Sequence, residues 1–261
     1  MASPSAREQA VRLLRQGVRN ADVARRLGVP PGTISWWKHE DLAKHGTPPG
    51  RKRSTCVHCY GDGINRSAYA YLLGLYLGDG HISRPKQHRT ASLSISCDDN
   101  WPGIMDSAEK AMREVMPRNR PCRVRRTGSH DVKLYSQHLT CYFPQHGAGR
   151  KHERLIALQP WQQEIVEAHP WEFLRGLIHS DGCRITNWAT RTVNGVVRRH
   201  EYPRYFFTNT STDIIALLTS TLDAVGVRWK TSVPRPTGQV NVSIARKASV
   251  ALMDAHIGPK Y

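Results

Sequence analysis

One ten-residue run occurs twice in this chain, and no other feature limits its possible folds as strongly. Tyr71-Leu72-Leu73-Gly74-Leu75-Tyr76-Leu77-Gly78-Asp79-Gly80 aligns without a gap with Phe173-Leu174-Arg175-Gly176-Leu177-Ile178-His179-Ser180-Asp181-Gly182 at a constant offset of 102 residues. Five of the nine letters from Leu72 and Leu174 onward are identical. The segments after the two runs also correspond. Residues 92–96 and 205–208 alternate as strands do, and 100–115 and 213–225 carry helical patterning. Residues 123–126 with 131–137, like 228–233 with 239–245, read as hairpins. Each half is therefore helix, two strands, helix, two strands and a tail, a pseudo-twofold duplicated αββαββα core of the α+β class. The tails rhyme as well, with His146, Gly147 and Lys151 in the first and His256, Gly258 and Lys260 in the second. Two copies of one such unit are expected to pack against each other.

The repeated run carries its own chemistry. Gly74 and Gly78 lie four apart, as do Gly176 and Ser180, so each pair falls on one helix face. A mid-helix glycine costs about 1 kcal/mol relative to alanine; the expected compensation is a close approach of two helix backbones at the pseudo-twofold axis. Asp79 and Asp181 end the two helices, followed by Gly80 and Gly182 at positions suited to a C′ glycine. A carboxylate there opposes the helix dipole by roughly 0.3–1 kcal/mol, and two side by side disfavour each other's ionisation. A divalent cation between them removes both penalties. A single Asp-Gly before a strand reads as a turn. Two of them, each after the same small-residue helix, point to a metal site.

Residues 72–80 and 174–182 resemble the LAGLIDADG signature of homing endonucleases, with glycine third, a small residue seventh, aspartate eighth and glycine ninth. The resemblance extends over about 66–261 and gains specificity from occurring twice. It implies a DNA-binding saddle of two antiparallel sheets over double-stranded DNA, with the signature helices at its centre. Asp79 and Asp181 would each hold Mg²⁺ (or Mn²⁺) for hydrolysis of one strand, the metal lowering the pKa of the attacking water. The chain departs from the signature at Tyr76, Leu77 and His179, positions that do not supply the metal ligand. Family enzymes often bring a Lys or Gln near the metals from the later strands. By register that residue is Lys133 in the first half, against Ser243 in the second, so Asp79, Asp181 and Lys133 are the candidate catalytic set, with one more phosphate contact the other reading of Lys133. The strands expected to face the groove carry Arg123, Arg125, Arg126, Tyr135 and Gln137, then Arg184, Asn187, Lys230, Asn241 and Arg246. Arginine and glutamine there read base edges bidentately.

The first segment reads as three helices. Ala10, Val11, Leu13 and Leu14 form an apolar stripe ended by Gly17; Asn20 is placed to cap a second helix through Val23, Ala24 and Leu27, closed by Gly28. After Gly28-Val29-Pro30-Pro31, a third helix carries Thr33, Ile34, Ser35, Trp36, Trp37 and Lys38. Helix, tight glycine turn and helix make a helix-turn-helix, whose second helix would turn Thr33, Ser35, Trp36 and Lys38 toward base edges and phosphates. With this leader, the whole is similar to an actinobacterial group described as helix-turn-helix/LAGLIDADG proteins. The expected organisation is 1–43 for this domain, 44–66 for a basic linker, and 67–154 and 155–261 for the two repeats.

Charge agrees with two surfaces facing a polyanion. Lys and Arg exceed Asp and Glu by 38 to 21, a net +17, and the surplus is shared between residues 1–53 and the remainder. Such charge binds phosphate by releasing counterions. No stretch reaches the length of a membrane span, and the N-terminus lacks the apolar run of a signal peptide. Six cysteines are too sparse for a disulfide scaffold, so a reduced, cytoplasmic and nucleoid-associated setting is expected. Cys56 and Cys59 have the spacing of half a zinc site, but no second CxxC completes it, and linker cysteines are the preferred reading. His179, Ser180 and Asp181 do not make a triad, because adjacent helical residues point apart. Trp161 and Trp171 precede the second signature helix and should anchor it.

Two functions stay open at this level. One is a monomeric, Mg²⁺-dependent, site-specific endonuclease of double-stranded DNA, with no small-molecule substrate. The other is a transcription regulator that uses the same fold for binding without cleavage.

Overall fold

The computed structural model describes residues 5–45, 63–84, 90–232 and 238–261, without the side chain of Val193. The chain falls into two compact units that divide after residue 55. Cys56, Cys59 and the Arg51-Lys52-Arg53 run lie outside the described residues.

The first unit holds α1 (Ala6–Arg15), α2 (Asn20–Leu27) and α3 (Pro31–His45). Ser5 and Glu8 form a capping box that starts α1, and Pro31 opens α3, where its missing N–H is no loss. Gly28 ends α2 at φ +64°, a conformation that favours glycine. Ala10, Val23, Ala24 and Ile34 are buried, with Leu13, Leu14, Leu27 and Trp37 packed around them. Asn20 is not the cap expected of it. It is the first helical residue, and its Oδ1 accepts a hydrogen bond from Lys38 Nζ at 3.0 Å.

The second unit repeats one motif. Its first half runs α4 (Arg66–Leu77), β1 (Gly80–Ser83), β2 (Ser92–Asp98), α5 (Pro102–Val115), β3 (Cys122–Arg126), β4 (Ser129–Tyr135) and the short α6 (Leu139–Tyr142). A helix α7 (Pro160–Ala168) leads into the second half. That half is α8 (Pro170–Asp181), β5 (Gly182–Val193), β6 (Val196–Asn209), α9 (Thr212–Ala224), β7 (Lys230–Ser232), β8 (Val240–Ile244) and α10 (Lys247–His256). The sheets have matching antiparallel orders, β1-β2-β4-β3 and β5-β6-β8-β7. Leu93, Ile95, Val132 and Leu134 on one sheet, and Tyr205, Phe207, Val242 and Ile244 on the other, are buried. They join α4 and α8 in one core. With strand period two, the alternate residues stand on the opposite, outer faces.

The two signature helices touch backbone to backbone. A Cβ on Gly74 would stand 2.5 Å from the carbonyl oxygen of Phe173, and one on Gly176 would stand 2.9 Å from the Cα of Gly74. The ninth-position glycines serve a different purpose from the helix-ending one expected. Gly182 has φ −99°, outside the left-handed region, and a Cβ there would lie 2.7 Å from the Cα of Ile178. Glycine is needed because the first strand residue packs directly on the last helical turn. The tryptophans do anchor this region: Trp161 packs on Tyr69 with ring centroids 5.1 Å apart, and Trp171 stacks on His256 at 4.1 Å.

Candidate active site and nucleic-acid interface

Packing at Gly74 and Gly176 brings the ends of α4 and α8 together between the two sheets. A Cβ on Gly78 would already lie 3.2 Å from Asp181 Oδ2, so the second carboxylate abuts the end of the first helix. Asp79 is exposed by surface area, yet its carboxylate stands in a crowded cleft of about 330 Å³, lined also by Ser96, Asp98, His179, Ser180 and Lys260. Burial, reinforced by the charge of Asp181, pushes Asp79 up to about 6. Burial also raises Asp181, against a hydrogen bond from Asn209 Nδ2 at 2.6 Å.

Two lysines complete the constellation, one from the tail of each repeat. Lys151 Nζ donates to the carbonyl oxygens of Tyr76, Leu77 and Gly78 at 2.5, 3.1 and 2.5 Å, and Lys260 Nζ donates to that of Ser180 at 2.8 Å. Each amine thus satisfies carbonyls at the C-terminal end of its own signature helix and opposes the negative pole there. Burial lowers Lys151 to about 8, against the upward pull of the two carboxylates; Lys260 is lowered for the same reason. The tails are built for this placement. Arg154 grips the carbonyls of Gln145, Gly147 and Gly149 around Lys151. Beside Lys260, the Tyr261 carbonyl accepts from Gly103 N at 3.0 Å and its hydroxyl meets Ser107 Oγ at 2.9 Å.

Lys133, the expected catalytic lysine, is engaged on the outer face of the first sheet, and the cations that lower Asp79 most are Lys260 and Lys151. Lys133 Nζ lies 3.4 Å from Asp131 Oδ2, which also accepts from Arg126 Nε at 2.9 Å. The signal for Lys151 and Lys260 was present in the rhyming tails, but spacing alone gave them no task.

The pseudo-twofold relation is broken at one contact. Ile95 pairs with Val132 as Phe207 pairs with Val242, so two residues on, Cys97 occupies the place of Asn209. Asp181 therefore has an amide partner, whereas Asp79 has the buried Cys97 thiol beside it, pushed up to about 12 by burial and by that carboxylate.

The register sorts the expected DNA contacts. Lys133, Arg126 and Tyr135 share the outer face of the first sheet, and Gln137 follows the strand on the surface. Asn187, Lys230 and Asn241 share the outer face of the second. Arg123 and Arg125 instead lie on the helix side: Arg123 pairs opposite the buried Val132 and bonds Asp106 and Glu109 of α5. Arg184 is likewise on the helix side, bidentate to Asp254 of α10. Arg246 is exposed ahead of α10. In the first unit Trp36 is 60% exposed, Thr33 and Ser35 are half-buried, and Lys38 is held by Asn20.

Crystal structures of I-DmoI share this duplicated architecture. One, in complex with DNA and Mn, is 16% identical, covers 75% of this chain and 98% of that one, and superposes with a TM-score of 0.51. A second, of an I-DmoI variant with its target DNA nicked in the coding strand and in the presence of Mn, is 16% identical, covers 74% and 96%, and has a TM-score of 0.50. The duplicated unit has the LAGLIDADG fold. At that identity the likeness concerns the fold. Residues 3–57 match the helix-turn-helix family model described as "Transposase", and no curated protein matches the chain. Within the LAGLIDADG fold, the carboxylates and their lysines stand at the junction of the two repeats.

The donor set fits a hard divalent cation. Two carboxylates, both disfavoured as anions by burial, present oxygen ligands suited to Mg²⁺ or Mn²⁺. Among the described residues, no group of three or more His, Cys, Asp or Glu is placed to hold a metal. The pair supplies two ligands only. No helix among the described residues is long and apolar enough to cross a membrane.

Proposed function

We propose that this chain is a site-specific endonuclease of double-stranded DNA that works with a divalent cation held by Asp79 and Asp181. The observation that carries the reading is the convergence of two half-enclosed carboxylates with Lys151 and Lys260 at the touching ends of α4 and α8. Such a pair destabilises the fold unless positive charge is delivered to it. Its two-ligand set leaves room for phosphate and water oxygens. A bound cation supplies Lewis acidity at the scissile phosphate. The chain's own residues do the rest. Asp79 and Asp181 fix the position of that charge, and Asn209 orients Asp181. Lys151 and Lys260 clamp the helix ends while adding positive charge where negative charge develops on the phosphate. Lys133, Arg126, Asn187, Lys230 and Asn241 contact the duplex from the outer sheet faces, and the helix-turn-helix adds a second contact through Thr33, Ser35 and Trp36.

Incubation of wild type with the duplex it selects from a randomised pool, with and without Mg²⁺, tests the assignment. Cation-dependent double-strand cuts support it. Binding without cutting at any Mg²⁺ or Mn²⁺ concentration replaces it with the regulator reading.

Two further outcomes are expected. Deleting residues 1–50 should weaken binding and leave cutting detectable at saturating protein, because the chemistry lies wholly in the second unit; a folded fragment that never cuts contradicts this division. Asn209→Ala should slow the nick made by Asp181 about tenfold or more, the usual loss when a ligand's supporting contact is removed, with the other strand little affected. Strand-specific labelling of the duplex separates the two rates, and equal slowing of both would reject the assigned role of Asn209.

A further inference from the structure

The two outer sheet faces are chemically unequal. On the first, Arg126 and Lys133 both turn to Asp131, which also accepts from Ser96 Oγ at 2.9 Å. At the matching place on the second sheet stands Asn241, bonded to Thr208. Arg204 there meets neutral groups: it donates to Ser243 Oγ at 2.7 Å and lies over the Phe206 ring. Among the described residues, no carboxylate stands on this face.

The inequality grows along β5 and β6. β6 pairs with β8 only over 205–209, so among the described residues 196–204 has β5 as its sole strand partner and forms a two-stranded ribbon. Nine strand residues span about 30 Å, most of one turn of a DNA duplex. Asn194 and Gly195, at φ +53° and +76°, close it as a tight hairpin turn. The register gives the ribbon two distinct sides. One continues the outer face and carries Ile185, Asn187, Ala189 and Arg191 opposite Arg204, Tyr202, His200 and Arg198. Arg191 is directly paired with Arg198, an arrangement that costs stability in an isolated hairpin. The other side carries its own stabilising contacts: Arg199 pairs with Glu201 at 2.7 Å and lies 5.0 Å over the ring of Trp188. A ribbon that neutralises its cations on one side and sets arginine against arginine on the other is shaped for a polyanion.

We propose that the β5–β6 ribbon is a one-sided phosphate clamp, in which Arg191, Arg198 and His200 hold the DNA flank on the second-repeat side and make the contact area longer there than on the first-repeat side. The proposal rests on the DNA-binding reading above and deepens it. Arg191 and Arg198 each neutralise one phosphate, and the paired like charges become favourable only when DNA lies across them. The first repeat contributes a shorter contact, since β1 and β2 pair only from Gly80 with Ile95 to Ser83 with Ser92 and Asp131 takes up Arg126 and Lys133.

The test uses the full chain, without divalent cation, on the duplex it selects from a randomised pool. Hydroxyl-radical footprinting should give a wild-type protection extending further from the centre on one side. Arg191→Ala with Arg198→Ala should withdraw that longer flank only. It should also flatten the log–log salt dependence of binding by about 2, at roughly 0.9 per lost phosphate. The pair is exposed, so thermal melting should hold or rise. Glu201→Gln, on the reverse side, should leave the long flank in place. A symmetric wild-type footprint, or an unchanged flank and salt slope in the double variant, overturns the clamp while DNA binding stands. No protection by wild type overturns the DNA reading itself.

Discussion

Asp79→Asn and Asp181→Asn are each expected to lower double-strand cleavage by a hundredfold to a thousandfold or more, while binding to the same duplex survives. The amide keeps the shape of the carboxylate and removes the charge that attracts a divalent cation; losing several kcal/mol of electrostatic stabilisation corresponds to a rate loss of that order. Each variant should convert double-strand cutting toward nicking of one strand, because the two acids stand at pseudo-equivalent places. Their effects on the fold run opposite to their effects on catalysis. Asp79 is raised to about 6 from an ordinary 3.8, so the folded state binds more protons than the unfolded chain between those values. Wild-type stability should therefore fall as pH rises through that window, and the penalty is fully present above it. Asp79→Asn removes the penalty and should melt slightly higher at neutral pH, by up to about 1 kcal/mol once screening at its exposed edge is allowed for. At pH 4 the two proteins should melt alike. Mg²⁺ should raise the melting temperature of wild type, through binding to the folded state alone, and should do so less for the variant. A neutral-pH melting temperature lower than wild type would contradict the buried-charge account, and undiminished cleavage would remove the carboxylates from the mechanism.

The duplication made most of this architecture legible. A gapless repeat with small residues four apart implied two helices in backbone contact, and the carbonyl of Phe173 against Gly74 is that contact. Strand alternation gave the core faces, because Leu93, Ile95, Val132 and Leu134 are apolar at every second place. Three things were not legible. Which arginines face outward depends on register to a single residue: Arg123 and Arg126 are three apart and point to opposite faces, one to the acids of α5 and the other to Asp131. Lys151 and Lys260 reach the site from tails whose path is set by long-range bonds, such as Arg154 to three carbonyls and Tyr261 to α5, and no periodicity encodes those. The ribbon was hidden because 186–203 mixes Trp, Thr, Arg and Val without an apolar side. A strand that buries nothing shows no alternation.

Gly176→Ala should be among the most damaging single-atom additions to this chain. Its Cβ would fall inside contact distance of the Tyr71 carbonyl and at 2.9 Å from both the Gly74 Cα and the Leu75 nitrogen. All three are backbone, so no rotamer change relieves the overlap, and the helices must separate or slide. Overpacking of this kind costs about 1–3 kcal/mol and exceeds that where backbone must move, against a helix-propensity gain of about 1 kcal/mol from alanine. For a unit of this size, each net kcal/mol lowers the melting temperature by roughly 2–4 °C. Cleavage should suffer more than stability, because the separation that seats Asp79 against Asp181 is set by this contact, and a shift near 1 Å is enough to cost a hundredfold. Gly147→Ala is the matched control: its Cβ meets only the Arg154 Cδ at 3.6 Å, an ordinary contact, and both melting and cutting should stay near wild type. If Gly176→Ala melts and cuts like Gly147→Ala, the two signature helices are not held backbone to backbone, and the carboxylates do not owe their proximity to that seam.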